Sequence, residues 1–204
     1  MIRIPGLSGL CYNTGMKLIL IRHAKVNCPM PKVCDASAFD AARKAYDEAP
    51  IHAVAQKADS SRYNPEHFRF YVSTLQRTHD TCRGLFGDVP TTETPLLTEV
   101  PNRSFADTAL KLPYPCYQAL GRFGWFFNLK RQPEGKKQST ARAEELVSML
   151  EQRNEDCILV SHEFYLYTLL RVLKKHGFRI KRHRHGRIRN LEQILAVNNA
   201  ASDR

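Results

Sequence analysis

Residues 17–23 read Lys17-Leu-Ile-Leu-Ile-Arg-His23, an almost unbroken apolar run that ends in a guanidinium and an imidazole. A short run apolar on both faces is the pattern of a strand buried at the centre of a parallel sheet. Two further runs repeat it, Phe68-Arg-Phe-Tyr-Val72 and Cys157-Ile-Leu-Val160. Each of these two leads into a helical pattern, over residues 74–86 and 165–175. The first is closed by Gly87 and has Ser73 or Thr74 as its expected cap. The spacing predicts other helices over 37–48, stopped by Pro50, and over 140–153. Residues 95–100 read as a short strand or extended loop, and 178–180 and 188–197 as final strands. Residues 51–66 carry no clear pattern. Strands alternating with helices make the class α/β, a three-layer sandwich with a mostly parallel central sheet and helices on both faces.

Two segments stand apart. Residues 101–138 carry Pro113, Pro115 and the aromatic cluster Phe123, Trp125, Phe126 and Phe127, and read as a small lid insertion whose aromatics either pack as its core, the favoured reading, or line a substrate pocket. Residues 1–15 read as an N-terminal extension ahead of a single domain, 16–204. That extension is too short and too polar for a secretory signal.

The 204 residues suit one domain, and 43% hydrophobic with 25% charged residues excludes disorder, collagen and coiled coil as the main description. No apolar run approaches the ~20 residues of a membrane span, so no membrane partner is expected. The six cysteines are scattered without a CxxC pair. Reduced thiols in the cytoplasm are the expectation. The formal charge of +11 favours an anionic partner. Much of it is local: residues 171–189 hold nine Lys/Arg, three His and no acid.

In open α/β sheets, ligands bind beyond the carboxyl ends of the strands. Three such ends carry Arg22-His23, Ser73 to Arg77, and Ser161-His162. Two guanidiniums and two imidazoles therefore converge on one place. Arginine grips phosphate oxygens with a fork of N–H donors, helix N-termini add backbone donors, and a neutral imidazole can attack phosphorus. A leaving alkoxide then needs a proton, and Glu99 is the best-placed acid.

This order of motifs resembles the histidine phosphatase superfamily, the phosphoglycerate mutase-like fold. The resemblance rests on Leu-Ile-Arg22-His23-Ala-Lys, Ser73-Thr-Leu-Gln-Arg77-Thr, Leu96-Leu-Thr-Glu99 and Leu159-Val-Ser-His162, and spans roughly residues 16–175. It implies a phosphomonoester hydrolase that needs no metal and no cofactor and acts on a small phosphorylated substrate. His23 is then the nucleophile, Glu99 the proton donor, and Arg22, Arg77 and His162 the ligands of the phosphoryl group. Ala24 stands where the family usually has Gly, so a positive φ there would be strained. Glu163 stands where a small residue is usual, and a carboxylate so close could raise the His162 pKa or repel substrate, or point to solvent.

Rival readings are a phosphoglycerate mutase-type phosphotransferase and a non-catalytic basic module binding nucleic acid or an acidic protein. The spacing Cys116-x5-Arg122 matches a cysteine phosphatase loop only formally, and His183-Arg-His185 lacks the carboxylates of a metal site.

Overall fold

In the computed structural model, residues 15–54, 67–182 and 185–198 are described. The expected N-terminal extension and most of residues 51–66 lie outside them. Eight strands are β1 (Lys17–Arg22), β2 (Val33–Cys34), β3 (Arg69–Val72), β4 (Thr91–Glu93), β5 (Leu112–Pro113), β6 (Cys157–Ser161), β7 (Phe178–Lys181) and β8 (Gln193–Asn198). The helices among the described residues are α1 (Ala36–Glu48), α2 (Gln76–Phe86), α3 (Tyr114–Phe126), α4 (Lys136–Arg153) and α5 (Glu163–Lys175).

Six strands form the main sheet in the order β4-β3-β6-β1-β8-β7. The four strands β4, β3, β6 and β1 run parallel, and β8 lies antiparallel to both of its neighbours, β1 and β7. Strand side chains alternate between faces. Leu18 and Leu20 of β1 join α4 and α5 in one core with Leu146, Leu150, Leu166 and Leu169. Ile19 and Ile21 join α2 on the other face, with Cys82, Leu85 and Phe86. The class is therefore the expected α/β sandwich of three layers.

Several boundaries moved for local reasons. α1 begins at Ala36 because Asp35 accepts the Ala38 N–H at 2.9 Å as its cap. α2 begins at Gln76, and neither Ser73 nor Thr74 caps it: Leu75 stands at the cap position without a side-chain bond. Ser73 Oγ instead accepts the Leu75 N–H and faces His162. Residues 95–97 form a 3-10 turn rather than a strand, with Pro95 at its start and the Thr94 hydroxyl accepting the Leu96 N–H. α4 starts at Lys136, since the Gln138 side chain reaches back to the Gly135 N–H. α5 starts at Glu163, directly after His162.

Residues 101–138 hold β5 and α3 and the first residues of α4. β5 pairs with β2 apart from the main sheet. Phe39 of α1 stacks against Tyr114 and Tyr117 of α3 in a small separate core. Only part of the aromatic cluster packs as expected. Trp125 is buried, with its Nε1–H on Ser139 and its ring edge on Phe164. Phe123, Phe126 and Phe127 are about half exposed instead.

Gly121 decides how closely α3 approaches residues 102–103. A Cβ there would sit 2.0 Å from Asn102 Oδ1 and 2.7 Å from the Arg103 carbonyl, so only glycine lets the helix lie on residues 102–103.

Candidate active site

The register of the sheet builds the site. Arg22 of β1 pairs with Ser161 of β6, and the His23 N–H donates to the Ser161 carbonyl at 2.9 Å. The residue after each strand is a histidine, so parallel pairing sets His23 beside His162, with ring centroids 5.0 Å apart.

His23 is buried, and its Nδ1 lies 2.7 Å from the Ala24 carbonyl. A carbonyl only accepts, so Nδ1 carries the hydrogen and Nε2 keeps its lone pair. Nε2 has no partner among the described residues. Burial, then the nearby Arg77 guanidinium, lowers the His23 pKa from 6.5 to about 3, so the imidazole is neutral at neutral pH. Thr81 of α2 holds the peptide that orients it: its hydroxyl accepts the Ala24 N–H at 2.9 Å and donates to the Arg77 carbonyl at 2.6 Å. Asn190 donates to the His23 carbonyl at 2.8 Å. Ala24 is not among the positive-φ residues, so the methyl is accommodated without backbone strain.

His162 is fully buried. Arg77 Nε donates to its Nδ1 at 3.2 Å, so its Nε2–H donates to Ser73 Oγ at 2.7 Å. Burial, and next Arg77, holds its pKa well below the usual value. Arg77 is buried too, and its NH1 donates to Asp47 of α1 at 2.9 Å. Asp47, Arg77, His162 and Ser73 thus form a continuous chain behind His23.

A cavity of about 590 Å³ opens in front of His23. Arg22, His23 and Glu99 line it, whereas Arg77 and His162 do not. Of the five sequence-predicted residues, three face one space and two lie one layer deeper. Glu99 sits at the start of α5. Its Oε1 accepts the N–H groups of Val100 at 2.9 Å and Tyr165 at 3.0 Å, and its Oε2 has the longer 3.4 Å contact with Phe164 N.

Glu163 points neither to solvent nor to His162. Its carboxylate lies 2.9 Å from Arg22 NH1 and is gripped by Arg187 Nε and NH2 at 2.6 and 3.0 Å. Arg22 NH1 also donates to the Ile188 carbonyl, and its buried Nε has no partner.

Sequence reasoning missed Arg43, Asn102 and Arg122, which line the same cavity. Arg43 Nε and Asn102 Oδ1 are buried without hydrogen-bond partners. Arg122 donates to the Val100 and Pro101 carbonyls, and its guanidinium lies 3.7 Å from the Phe164 ring centroid. Burial lowers its pKa to about 10, so it keeps its charge at neutral pH. No local pattern marked Arg43 or Arg122 as more than a helix cation facing this cavity, or Asn102 as more than a loop amide.

Three minor readings also meet the structure. Cys116 and Arg122 lie on one helix, α3, so no cysteine phosphatase loop exists there. His183 lies outside the described residues, and no group that could hold a metal ion occurs among those described. In the basic run, Arg182 pairs with Glu192 and Arg187 with Glu163, both acids from outside it.

The model of the histidine phosphatase superfamily (branch 1) matches residues 18–194. No curated protein matches the sequence. Among solved structures, a mutant phosphoserine phosphatase of Entamoeba histolytica in complex with phosphoserine aligns with a TM-score of 0.54 at 15% identity, covering 88% of this chain and 89% of that one. A mycobacterial hydrolase aligns with 0.55 at 15%, covering 93% and 84%. A mycobacterial glucosyl-3-phosphoglycerate phosphatase complexed with VO3 aligns with 0.51 at 15%, covering 91% and 100%.

Proposed function

The chain belongs to the histidine phosphatase superfamily, and from that membership and the site above we propose that it is a metal-independent phosphomonoester hydrolase acting through a phosphohistidine on His23. The observation that carries the reading is the His23 tautomer. Nδ1–H is tied to the Ala24 carbonyl, and the unpartnered Nε2 belongs to a neutral ring in the wall of a cationic cavity.

In the proposed cycle Nε2 attacks phosphorus, the P–O bond to the leaving group breaks, and protonated Glu99 gives its proton to the departing oxygen. Oε2, the less firmly held oxygen, carries that proton. Glu99 as carboxylate then takes a proton from water, the water oxygen bonds to phosphorus, and the N–P bond breaks to release phosphate. Arg22 offers its free Nε to the phosphoryl oxygens. Arg77 adds charge from behind, and His162 joins them by exchanging its Ser73 contact for phosphate. Positioning and charge supply most of the catalysis.

The substrate is a small phosphorylated molecule. Arg43 and Arg122, with no ion-pair partner among the described residues, suit further anionic groups on it. Domain 16–204 acts as one unit in this reading, and the free thiols of Cys28, Cys34, Cys82, Cys116 and Cys157 suit a reducing, cytoplasmic setting.

The test is hydrolysis of an aryl phosphate in EDTA by wild type and His23→Ala, with alkaline-detergent quench trapping of the phosphoenzyme. Turnover and an acid-labile phosphoprotein in wild type only are expected. Equal turnover in both proteins overturns the assignment.

A further inference from the structure

Helix α3 has two faces. Pro115, Gln118, Ala119 and Arg122 look into the cavity. A second, exposed face presents Leu120, Phe123 and the cap residue Phe127, at helical spacing, together with Phe126 and, past the helix, Leu129. Their exposures are 38%, 59%, 54%, 49% and 51%. Soluble proteins rarely leave so many large apolar side chains contiguous and exposed, and such patches mark interaction sites. Phe127 packs against the other two phenylalanines, with centroids 4.5 Å apart for Phe123–Phe127 and 5.1 Å for Phe126–Phe127.

The patch is held in place rather than loosely draped. The Phe127, Asn128 and Leu129 N–H groups bond back to the carbonyls of Phe123, Trp125 and Gly124. Asn128, with φ of 54°, accepts the Lys137 N–H on its side chain at 2.8 Å. The turn therefore keeps its aromatics outward.

The charges around the patch choose the occupant. Lys130, Lys136 and Lys137 flank it in sequence, and Lys136 Nζ lies 4.2 Å from the Phe126 ring centroid. None of these lysines has a carboxylate partner among the described residues. Nearby acids are already engaged: Asp107 pairs with Arg131, and Glu134 with Arg142. Self-association through a two-fold axis would face these lysines with their own copies. An apolar tip flanked by cations without carboxylate partners instead matches a surface that is apolar inside and anionic outside.

We propose that the outer face of α3 is a peripheral docking surface for an anionic lipid bilayer, with Leu120, Phe123, Phe126, Phe127 and Leu129 entering the acyl–headgroup boundary and Lys130, Lys136 and Lys137 on the headgroups. No described helix is long and apolar enough to cross a membrane; this contact lies on the surface and leaves the chain outside the bilayer. It places the catalytic cavity one helix away from the lipid.

The experiment is co-sedimentation of the full chain with vesicles of phosphatidylcholine alone, or of phosphatidylcholine with one third phosphatidylserine. The proteins are wild type, Phe123→Asp/Phe127→Asp, Lys130→Glu/Lys136→Glu/Lys137→Glu, and a control, Arg179→Glu/Lys181→Glu, altered on β7. Circular dichroism melting verifies that each is folded. Wild type and the control bind the anionic vesicles, and each patch variant binds about tenfold more weakly or worse. The same binding in wild type and both patch variants, or a loss produced equally by the β7 control, assigns any attraction to general charge and overturns the proposal. A wild-type dimer in light scattering that Phe123→Asp/Phe127→Asp dissolves, without vesicle binding, overturns it in favour of self-association. Binding is read without turnover, so the result stands apart from the hydrolase test.

Discussion

Acid should unfold this protein partly through His23, and the size of that effect follows from its environment. The imidazole is 2% exposed, and its pKa falls from 6.5 to about 3 through burial and then through Arg77. A depressed pKa on a base means that the unfolded chain takes up a proton before the folded chain does. Stability contributed by the neutral ring is therefore present above the unfolded value and declines as pH falls from about 6.5 toward 3. Each pH unit inside that window costs about 1.4 kcal/mol. Between pH 7.5 and pH 4.5 the single-site expression gives a loss of about 2.6 kcal/mol from His23. The assay is urea unfolding of wild type and His23→Asn at both pH values. Most other groups titrate alike in the two proteins, so the double difference isolates the ring. Wild type should lose about 2–3 kcal/mol more than the variant over that interval. A double difference below about 0.5 kcal/mol would show that His23 is not held buried and neutral, and the argument for its nucleophilic nitrogen would fall with it.

Thr81→Val removes the hydroxyl that accepts the Ala24 N–H, which should cost about 1–3 kcal/mol in chemical denaturation; it should also lower kcat in aryl phosphate hydrolysis, and Thr81→Ser should restore both. Glu163→Gln removes the charge that competes with phosphate for Arg22; the inhibition constant of inorganic phosphate should fall by roughly 5–10-fold, and an unchanged constant would show that Glu163 leaves Arg22 open. Asp47→Ala leaves the buried Arg77 without its carboxylate, and should lower stability by about 1–3 kcal/mol, less than a fully buried pair because Asp47 is partly exposed. His176, between Glu144 at 2.6 Å and Glu151 at 3.0 Å, has a raised pKa owing first to the Glu144 hydrogen bond. Its stabilisation is complete below pH 6.5 and lost as pH rises through the folded value, so His176→Gln should destabilise the protein more at pH 6 than at pH 9 in thermal melts.

Much of this was legible in the chain itself. The runs at 17–21, 68–72 and 157–160 are apolar because the central strands are covered on both faces, and that periodicity is a local property. The residues that end two of them, Arg22-His23 and Ser161-His162, were equally readable, because a strand's carboxyl end is where an open sheet exposes side chains to ligand. Residue order alone therefore determined the α/β class and put His23 and Glu99 forward.

Tertiary structure decided the rest, because it depends on contacts between residues far apart in sequence. The His23 tautomer is set through the Ala24 peptide, which Thr81, 57 residues further along the chain from Ala24, holds in place. Arg77 and His162 bond to each other and each to a further side chain, Asp47 for Arg77 and Ser73 for His162, behind His23, an arrangement that only the packing of α1 and α2 on the sheet ends supplies. Arg43 and Arg122 look like ordinary helix cations until α1 and α3 close over the same cavity. The aromatic cluster has one composition and two fates, since the helix turns Trp125 inward and Phe123 outward. Hydrophobic pattern is encoded residue by residue, whereas the direction in which a polar or aromatic group points is decided by the neighbours that folding brings to it.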